Sequence, residues 1–280
     1  MSKRPNKFSS MNPRPFLKWA GGKRQLIPQM KKYLPREFNN YIEPLVGGGA
    51  LFFYLLPKKA ILIDINDDLI NCYKVIKNNV YELIELLKNH VNEKGYYYRM
   101  RKIDRNPEKY NKLSEVEKAS RIIFLNRCCY NGLYRVNSKG QFNVPFGKYK
   151  NPKFCDKDNL IAVHKVLQQV ELVNDSFEKC LNFAEEGDFI YLDPPYQPIS
   201  ETANFTSYTK ENFGVNAQNK LFDIFTKLND IGCKVVLSNS YNKFTLDLYQ
   251  NYEIVFLEAK RAINSNAKKR GAIKEILVLN

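Results

Sequence analysis

The sequence has few of the residues on which many enzyme sites depend. Its 280 residues include two histidines, His90 and His164, and both fall in stretches with a helical pattern, where a structural role is the simpler interpretation. The six cysteines stand at positions 72, 128, 129, 155, 180 and 233, without a Cys-x-x-Cys spacing. The sequence therefore indicates neither a metal site nor a disulfide framework, and we expect reduced intracellular thiols.

Long apolar runs are also absent. No uninterrupted stretch approaches the roughly 18 residues that a membrane helix requires. The basic start, MSKRPNKFSSMNPRP, lacks the apolar segment of a secretion signal. We expect a cytoplasmic protein with a loose N-terminal tail and no membrane partner.

Acidic residues are outnumbered by basic ones. The 44 Lys and Arg against 29 Asp and Glu give 44 − 29 = +15, with an isoelectric point near 9.4. This balance favours a polyanionic partner, although a solvated basic face would give the same count.

Short runs with a β pattern alternate with helix-length segments. Strands separated in this way predict an α/β fold with a mostly parallel sheet covered on both faces, and the last two runs are expected to form an antiparallel pair. The runs occupy residues 41–46, 60–64, 171–174, 188–193, 234–240, 253–259 and 275–280.

The interval between the second and third runs is too long for a simple connection. It holds two helical stretches and then a segment rich in Gly, Asn, Tyr and Arg, NGLYRVNSKGQFNVPFGKYKNPK. An interval of this length is better explained as an inserted functional module. We predict a discontinuous domain of residues 1–66 and 159–280, with residues 67–158 as a mainly helical, basic insertion.

Acidic residues mark the ends of several predicted strands. Glu43 precedes the glycine turn of EPLVGGGALFF, in which Gly47 and Gly49 allow the backbone to approach a ligand. Asp64 ends the second strand and could bind a ribose diol or cap the next helix, and Asp175 follows the third strand. A nucleoside-sized pocket explains these residues together, whereas the absence of a third glycine at Phe52 disfavours a nicotinamide site.

Trp19 is the only tryptophan, and it is followed by a Gly-Gly-Lys loop. A lone tryptophan is most often part of the core. Next to Lys18 and Lys23 it could instead cover a cationic ligand, with Lys23 binding the ligand's carboxylate.

The fourth strand ends in Asp193, Pro194, Pro195 and Tyr196. Asp193 and the Pro194 carbonyl can accept both hydrogens of an exocyclic amino group, Pro195 stiffens the turn, and Tyr196 offers a ring for stacking. Two acceptors on such a nitrogen concentrate its lone pair for in-line attack on a methyl-sulfonium carbon. The alternative is a strand-terminating turn with a capping aspartate.

These motifs, in their order, resemble the Dam-type DNA adenine-N6 methyltransferases of the alpha class, including the modification enzymes of GATC restriction systems. The resemblance extends from Pro15 to the last strand. The segments that carry it are FLKWAGGK, EPLVGGGALFF, ILIDINDDLI, YNGLYRVNSKGQFNVPFGKYK, LDPPYQPISETANFTSY and LSNS.

The resemblance implies a fold, a reaction and partners. The fold would be a Rossmann-like methyltransferase sheet of about seven strands with an inserted, mainly helical DNA-recognition domain. The reaction would move a methyl group from S-adenosylmethionine to N6 of a flipped-out adenine in double-stranded GATC, without a metal. A monomer on nucleoid DNA is expected, either solitary or paired with a GATC-cutting restriction endonuclease.

The resemblance also assigns roles to residues. Cofactor-binding positions are matched by Trp19, Lys23, Asp64, Asp175 and Asp193, beside the Glu43, Gly47 and Gly49 already noted. The target adenine would be held by Asp193, Pro194 and Tyr196. DNA recognition would use Lys18 and Arg135 on guanines, Leu133 and Pro145 on flanking bases, and Tyr130 and Asn131 in the space that the adenine leaves.

The sequence leaves alternatives open for the role of the basic segment, for the methyl acceptor and for the activity itself. The basic segment could meet only phosphates, as we expect for Arg127, Lys148 and Lys150. Cytosine N4, RNA adenine and a glutamine amide are rival acceptors, although related enzymes acting on them more often have Ser or Asn where Asp193 stands. A DNA-binding module with an inactive cofactor fold is a further alternative. The pair Cys128-Cys129 departs from the bulkier residues expected before Tyr130.

Overall fold

The computed structural model describes residues 12–195, 213–260 and 272–280, and its centre is a seven-stranded sheet. The strands are β1 (Tyr41–Glu43), β2 (Ala60–Asp64), β3 (Val170–Asn174), β4 (Phe189–Leu192), β5 (Lys234–Ser240), β6 (Glu253–Lys260) and β7 (Ala272–Leu279). Their order is β3-β2-β1-β4-β5-β7-β6. The first five are parallel, and β7 is antiparallel to both β5 and β6. The predicted fold class and terminal antiparallel pair are confirmed.

Helices connect the strands and cover the sheet. They are α1 (Ile27–Met30), α2 (Ala50–Leu55), α3 (Asp67–Lys88), α4 (Lys94–Lys102), α5 (Pro107–Asn111), α6 (Glu115–Cys128), α7 (Lys157–Leu167), α8 (Val215–Ile231) and α9 (Lys243–Leu248). Side-chain caps explain four of the starts, at α3, α5, α6 and α9. The Asn66 side chain accepts a hydrogen bond from the Leu69 N–H at α3, and Ser114 and Glu117 form a capping box at α6.

Each strand presents apolar side chains to both faces of the sheet. Leu62 and Tyr191 lie in one buried cluster, and Ile63 and Ile190, their neighbours in sequence, lie in the other. This continuous burial explains why the strands appear in the sequence as nearly unbroken apolar runs. Helices α3 and α6 contribute to the first cluster, and α8 contributes to the second.

The residues between β2 and β3 contain helices α3 to α7 and no strand of the central sheet. Helix α3 packs against β2, β3, α6 and α7. Buried residues of this interval, including Phe124 and Phe142, share one core cluster with the sheet residues Tyr41 and Leu62. The expected division of the chain at residues 66/67 and 158/159 therefore does not separate two hydrophobic cores. It stays a prediction about which residues recognise the target.

In the described part of the chain, no helix is both long and apolar enough to cross a bilayer. All six cysteines are unpaired, and five of them are buried.

A buried ion pair holds the middle of the interval together. Arg121 on α6 is 1% exposed, and its Nη2 lies 2.7 Å from Oδ2 of Asp104. Its Nε donates to the carbonyl of Met100 at the end of α4. The same Asp104 oxygen accepts the N–H of Phe142 from the segment that follows α6. One guanidinium and one carboxylate thus join three parts of the insertion.

We predict that Arg121→Met lowers the free energy of unfolding by about 3 kcal/mol, because Asp104 would lose its buried cation and keep only Arg105, whose side chain is 31% exposed. Urea titration followed by circular dichroism measures this loss. The control is Lys88→Met, which removes the exposed Lys88–Glu85 ion pair and should cost less than about 1 kcal/mol. Equal small losses in both variants would contradict the structural role assigned to Arg121.

Candidate functional site

The acidic strand ends meet at one edge of the sheet, beside a cavity of about 1250 Å³. Because β2, β1 and β4 are adjacent and parallel, their carboxyl ends bring Asp64, Glu43 and Asp193 to the same edge. Residues of the N-terminal segment, the glycine turn and the insertion complete the wall. The cavity lining includes Trp19, Lys23, Glu43, Gly47, Gly49, Asp64, Tyr134, Phe177, Asp193, Pro194 and Pro195.

The glycine turn forms part of the wall of this cavity. Gly47 has φ +48°, and its N–H donates to Oδ2 of Asp64 at 3.0 Å. A Cβ atom at Gly47 would lie 2.8 Å from Cδ1 of Trp19, and one at Gly49 would lie 2.7 Å from the hydroxyl of Tyr73. A side chain at either position would therefore collide with an aromatic residue, so the close packing of this turn requires glycine.

Asp64 is oriented by backbone groups and retains capacity for a ligand. Oδ2 accepts the N–H of Gly47, and Oδ1 accepts the N–H of Asn66 at 2.9 Å. An ionised carboxylate has about four lone-pair sites, so further donors such as ribose hydroxyls can be accepted. Burial raises the pKa of Asp64 above its ordinary value, while the backbone hydrogen bonds oppose that rise.

Glu43 is more deeply buried than Asp64. Glu43 is 2% exposed, and its Oε2 accepts a hydrogen bond from the hydroxyl of Tyr41 at 2.8 Å. Burial raises the pKa of Glu43 well above its ordinary value, and the nearby charges of Asp193 and Asp64 add to that rise. A positively charged ligand in the cavity would favour the ionised form of this carboxyl.

Asp193 lies in an ion pair with Lys23. Lys23 is 3% exposed. Its ammonium lies 2.7 Å from Oδ1 of Asp193 and also donates to the carbonyl of Gly21. Burial raises the pKa of Asp193 to about 6, although Lys23 lowers it, and Glu275 contributes to the rise. Asp193 therefore loses its charge as the pH falls through about 6.

Trp19 is held by residues of the insertion. Its ring stacks on Tyr134 with a centroid distance of 5.0 Å and an interplanar angle of 25°. The hydroxyl of Tyr134 donates to Oδ2 of Asp68 at 2.7 Å, and Tyr110 donates to the other oxygen. Sequence reasoning did not identify Tyr134 or Asp68, because Tyr134 lies in the Gly- and Asn-rich segment of residues 131–153 and Asp68 resembles an ordinary acidic residue of a first helical turn.

The structure does not bring Asp175 to the cavity. Asp175 is exposed, and its Oδ1 accepts the N–H of Ser176 at 2.7 Å. The neighbouring residues Ser176 and Phe177 line the cavity instead. Pro194 and Pro195 stand in the wall as expected, whereas Tyr196 lies outside the described residues.

The segment that follows α6, residues 130–153, is held in shape by hydrogen bonds within it. Arg135 donates from Nε to Oδ1 of Asn143 at 2.7 Å, and the N–H of Asn143 donates to the Arg135 carbonyl. Tyr130 is 53% exposed, and its N–H donates to the carbonyl of Pro145. Asn131 adopts φ +56° in the adjoining turn. An aromatic ring thus projects from a turn that is fixed on both sides.

The other expected DNA contacts differ in their surroundings. Pro145 and Lys148 are exposed, and Leu133 is half-buried. Lys18 is exposed, with Nζ 4.6 Å from the centre of the Tyr149 ring. The half-buried Arg127 instead uses its guanidinium within the protein, because it donates to the carbonyls of Pro15 and Phe16.

The chain is similar in sequence to known enzymes over nearly its whole length. A family model described as D12 class N6 adenine-specific DNA methyltransferase matches residues 19–263. The chain is 47% identical over 276 residues to the Type II methyltransferase M1.LlaDCHI of Lactococcus lactis subsp. cremoris, covering 97% of each chain. It is 46% identical over 290 residues to the Type II methyltransferase M.MjaIII of Methanocaldococcus jannaschii, covering 96% of this chain and 100% of the relative. It is 35% identical to the DNA adenine methylase of Escherichia coli strain K12, covering 95% of each chain.

We predict that Gly47→Ala weakens binding of S-adenosylmethionine by about tenfold or more, because the left-handed backbone and the contact with Trp19 both disfavour a side chain. Isothermal titration calorimetry measures the affinity. The control is Gly232→Ala, since Gly232 also has a positive φ, +90°, but is not among the residues that line the cavity, and a Cβ there would approach only the exposed side chain of Glu186. Wild-type affinity in Gly47→Ala would show that this turn does not shape the cofactor pocket.

Proposed function

The chain belongs to the D12 class of N6-adenine-specific DNA methyltransferases, and from that premise we propose that its target is the adenine of double-stranded GATC. The observation that carries the proposed mechanism is the convergence of Asp193, Glu43 and Asp64 on one cavity next to Pro194 and Pro195. These residues offer acceptors for an amino group and for a nucleoside side by side.

The residues of the cavity fit S-adenosylmethionine. When bound, this cofactor supplies a methyl group already activated on a positively charged sulfur. Asp64 keeps lone pairs for the ribose hydroxyls, and Lys23 carries a charge suited to the carboxylate of the amino-acid moiety. Glu43 would supply a carboxyl suited to a positively charged group, and Trp19, Gly47 and Gly49 line the same cavity. For Asp175 we propose a place near the cofactor adenine, reached by a change of its side-chain rotamer.

Asp193 and Pro194 prepare the target nitrogen. We assign one N–H of the adenine amino group to the Asp193 carboxylate and the other to the Pro194 carbonyl. Holding both hydrogens would concentrate the nitrogen lone pair on the side that receives the methyl group supplied by the cofactor. The proton that the amino nitrogen loses on methylation would pass to solvent, so no covalent enzyme intermediate is required. Pro195 fixes the turn, and we assign stacking on the adenine to Tyr196.

An adenine inside a duplex cannot reach a carboxylate in a cavity wall, so the base must leave the stack. Tyr130 offers an exposed aromatic ring for the gap, and Asn131 lies in the same fixed turn. These two residues are therefore assigned to the space that the flipped adenine vacates.

Arg135 is assigned to reading guanine, because a guanidinium can donate to O6 and N7 together in the major groove. Asn143 already orients this side chain through the bond to Nε. Lys18 is assigned to the other guanine, and Leu133 and Pro145 to flanking bases. Lys148 is assigned to a phosphate. For Arg127, the bonds to Pro15 and Phe16 favour anchoring of the segment that carries Lys18 and Trp19 over a phosphate contact.

The names of the relatives support two biological settings for this chain. Two of them are named Type II methyltransferases, which supports pairing of this chain with a GATC-cutting endonuclease, and others are named DNA adenine methylases, which supports a solitary role. In either setting we propose a cytoplasmic, nucleoid-associated monomer in which residues 67–158 supply target recognition.

Transfer of labelled methyl from S-adenosylmethionine to matched duplexes tests the proposed target. We expect label on a GATC duplex and none on the same duplex with 2-aminopurine in place of the adenine, because that base lacks an amino group at position 6. A third duplex with the four bases in another order tests the sequence. Label on the third duplex at the GATC rate would contradict GATC specificity, and label on the 2-aminopurine duplex would contradict N6 as the acceptor.

Arg135→Ala should relax discrimination at one guanine by roughly 1–3 kcal/mol, since one bidentate base contact is lost. The comparison is Lys148→Ala, which should weaken binding to all sequences alike and reduce its salt dependence. Competition binding with single-base variants of the site separates the two effects. An equal loss on every sequence for Arg135→Ala would reassign it to the phosphate backbone.

A further inference from the structure

Glu275 is an acidic residue on an otherwise apolar strand face, directly beside the proposed catalytic centre. It lies near the start of β7, where it pairs with Ser240 of β5 and Leu257 of β6. Because β7 runs antiparallel to β5, the start of β7 meets the carboxyl edge of the parallel strands. The Glu275 side chain is 13% exposed, and Oε2 lies 3.7 Å from Nζ of Lys23.

One ammonium is therefore shared between two carboxylates. Lys23 Nζ lies 2.7 Å from Oδ1 of Asp193 and 3.7 Å from Oε2 of Glu275. Its side chain is 3% exposed, so water screens these attractions only weakly. The strength of the Lys23–Asp193 pair consequently depends on the charge of Glu275.

We infer that Glu275 is a positioning residue for methyl transfer, whose carboxylate draws the Lys23 ammonium partly away from Asp193. This inference rests on the proposed role of Asp193 as acceptor for the target amino group. A carboxylate held in a close ion pair has fewer lone pairs and less negative charge to offer a second donor. Lys23 favours the ionised form of Asp193, and competition from Glu275 for the ammonium leaves that carboxylate available to the adenine.

The groups around Asp193 define the expected response to pH. Lys23 on the N-terminal segment favours the ionised carboxyl, and Glu275 on β7 disfavours it. Glu43 and Tyr41 on β1 and Tyr191 on β4 also lie within electrostatic reach of Asp193. Glu275→Gln removes a negative charge, so the pKa of Asp193 should fall. Lys23→Met removes the positive charge, so that pKa should rise.

The experiment is the pH dependence of kcat/KM for S-adenosylmethionine at a saturating concentration of GATC duplex. For the wild type, activity should fall as the pH drops through about 6. For Glu275→Gln, the midpoint of this fall should move to lower pH by roughly half a unit, and kcat at pH ~8 should decrease about fivefold. Glu275→Asp should restore part of both properties. The control is Glu253→Gln, an exposed position on β6, which should leave both unchanged.

The outcomes separate the two levels of inference. The wild type is expected to transfer methyl groups with a midpoint near pH 6. If Glu275→Gln shows the same midpoint, the role of Glu275 is overturned and the proposed function is not. A lower kcat in Glu275→Gln without a shift in midpoint would indicate a merely structural effect and also overturns it. A wild type without methyl transfer would remove the proposed function and this inference together.

Discussion

The buried ammonium of Lys23 offsets part of the negative charge that the parallel sheet concentrates at one edge, through its ion pairs with Asp193 and Glu275. Adjacent parallel strands end at the same edge, so Glu43, Asp64 and Asp193 cannot avoid mutual proximity. Carboxylates buried in this way are costly unless a cation or hydrogen-bond donors compensate them. In this chain the compensation comes from Lys23, from the hydroxyl of Tyr41 and from backbone N–H groups. A cavity with surplus negative charge results, and a cationic cofactor suits it.

Trp19 links the cavity to the residues between β2 and β3. Trp19 forms part of the cavity wall, and its ring stacks on Tyr134. Tyr134 directly precedes Arg135, to which we assign the reading of guanine. The Tyr134 hydroxyl is bonded to Asp68 in the first turn of α3, close to the end of β2. The proposed guanine-reading side chain and the cofactor pocket are therefore connected through adjacent residues rather than across a flexible joint.

Much of this arrangement was predictable because it depends on local pattern and strand order. Apolar runs bounded by turns located all seven strands, and the glycine turn with Asp64 and Asp193 located the cavity. The resemblance to adenine-N6 DNA methyltransferases, drawn from motifs, is confirmed by the family match. The contacts of Tyr134 and Asp68 were not predictable, since they join residues 66 positions apart and no periodic signal marks either one.

Two residues show how side-chain direction limits a sequence-based prediction. Arg127 was expected on the phosphates, yet its guanidinium donates to two backbone carbonyls more than 100 positions earlier in the chain. Glu275 did carry a signal that sequence reasoning missed, because alternation places it on the same strand face as Leu277 and Leu279. An acidic residue at an apolar position of a strand indicates a buried partner, which here is Lys23.

The central claim is that the charge of Asp193 acts in methyl transfer rather than in holding DNA. Asp193→Ala tests it when single-turnover transfer to a GATC duplex and the affinity for that duplex are measured on the same preparation. The account predicts that transfer is abolished while DNA affinity stays within about tenfold of the wild type, because Asp193 contributes to the transition state and not to phosphate contacts. Transfer at a rate comparable to that of the wild type would contradict it.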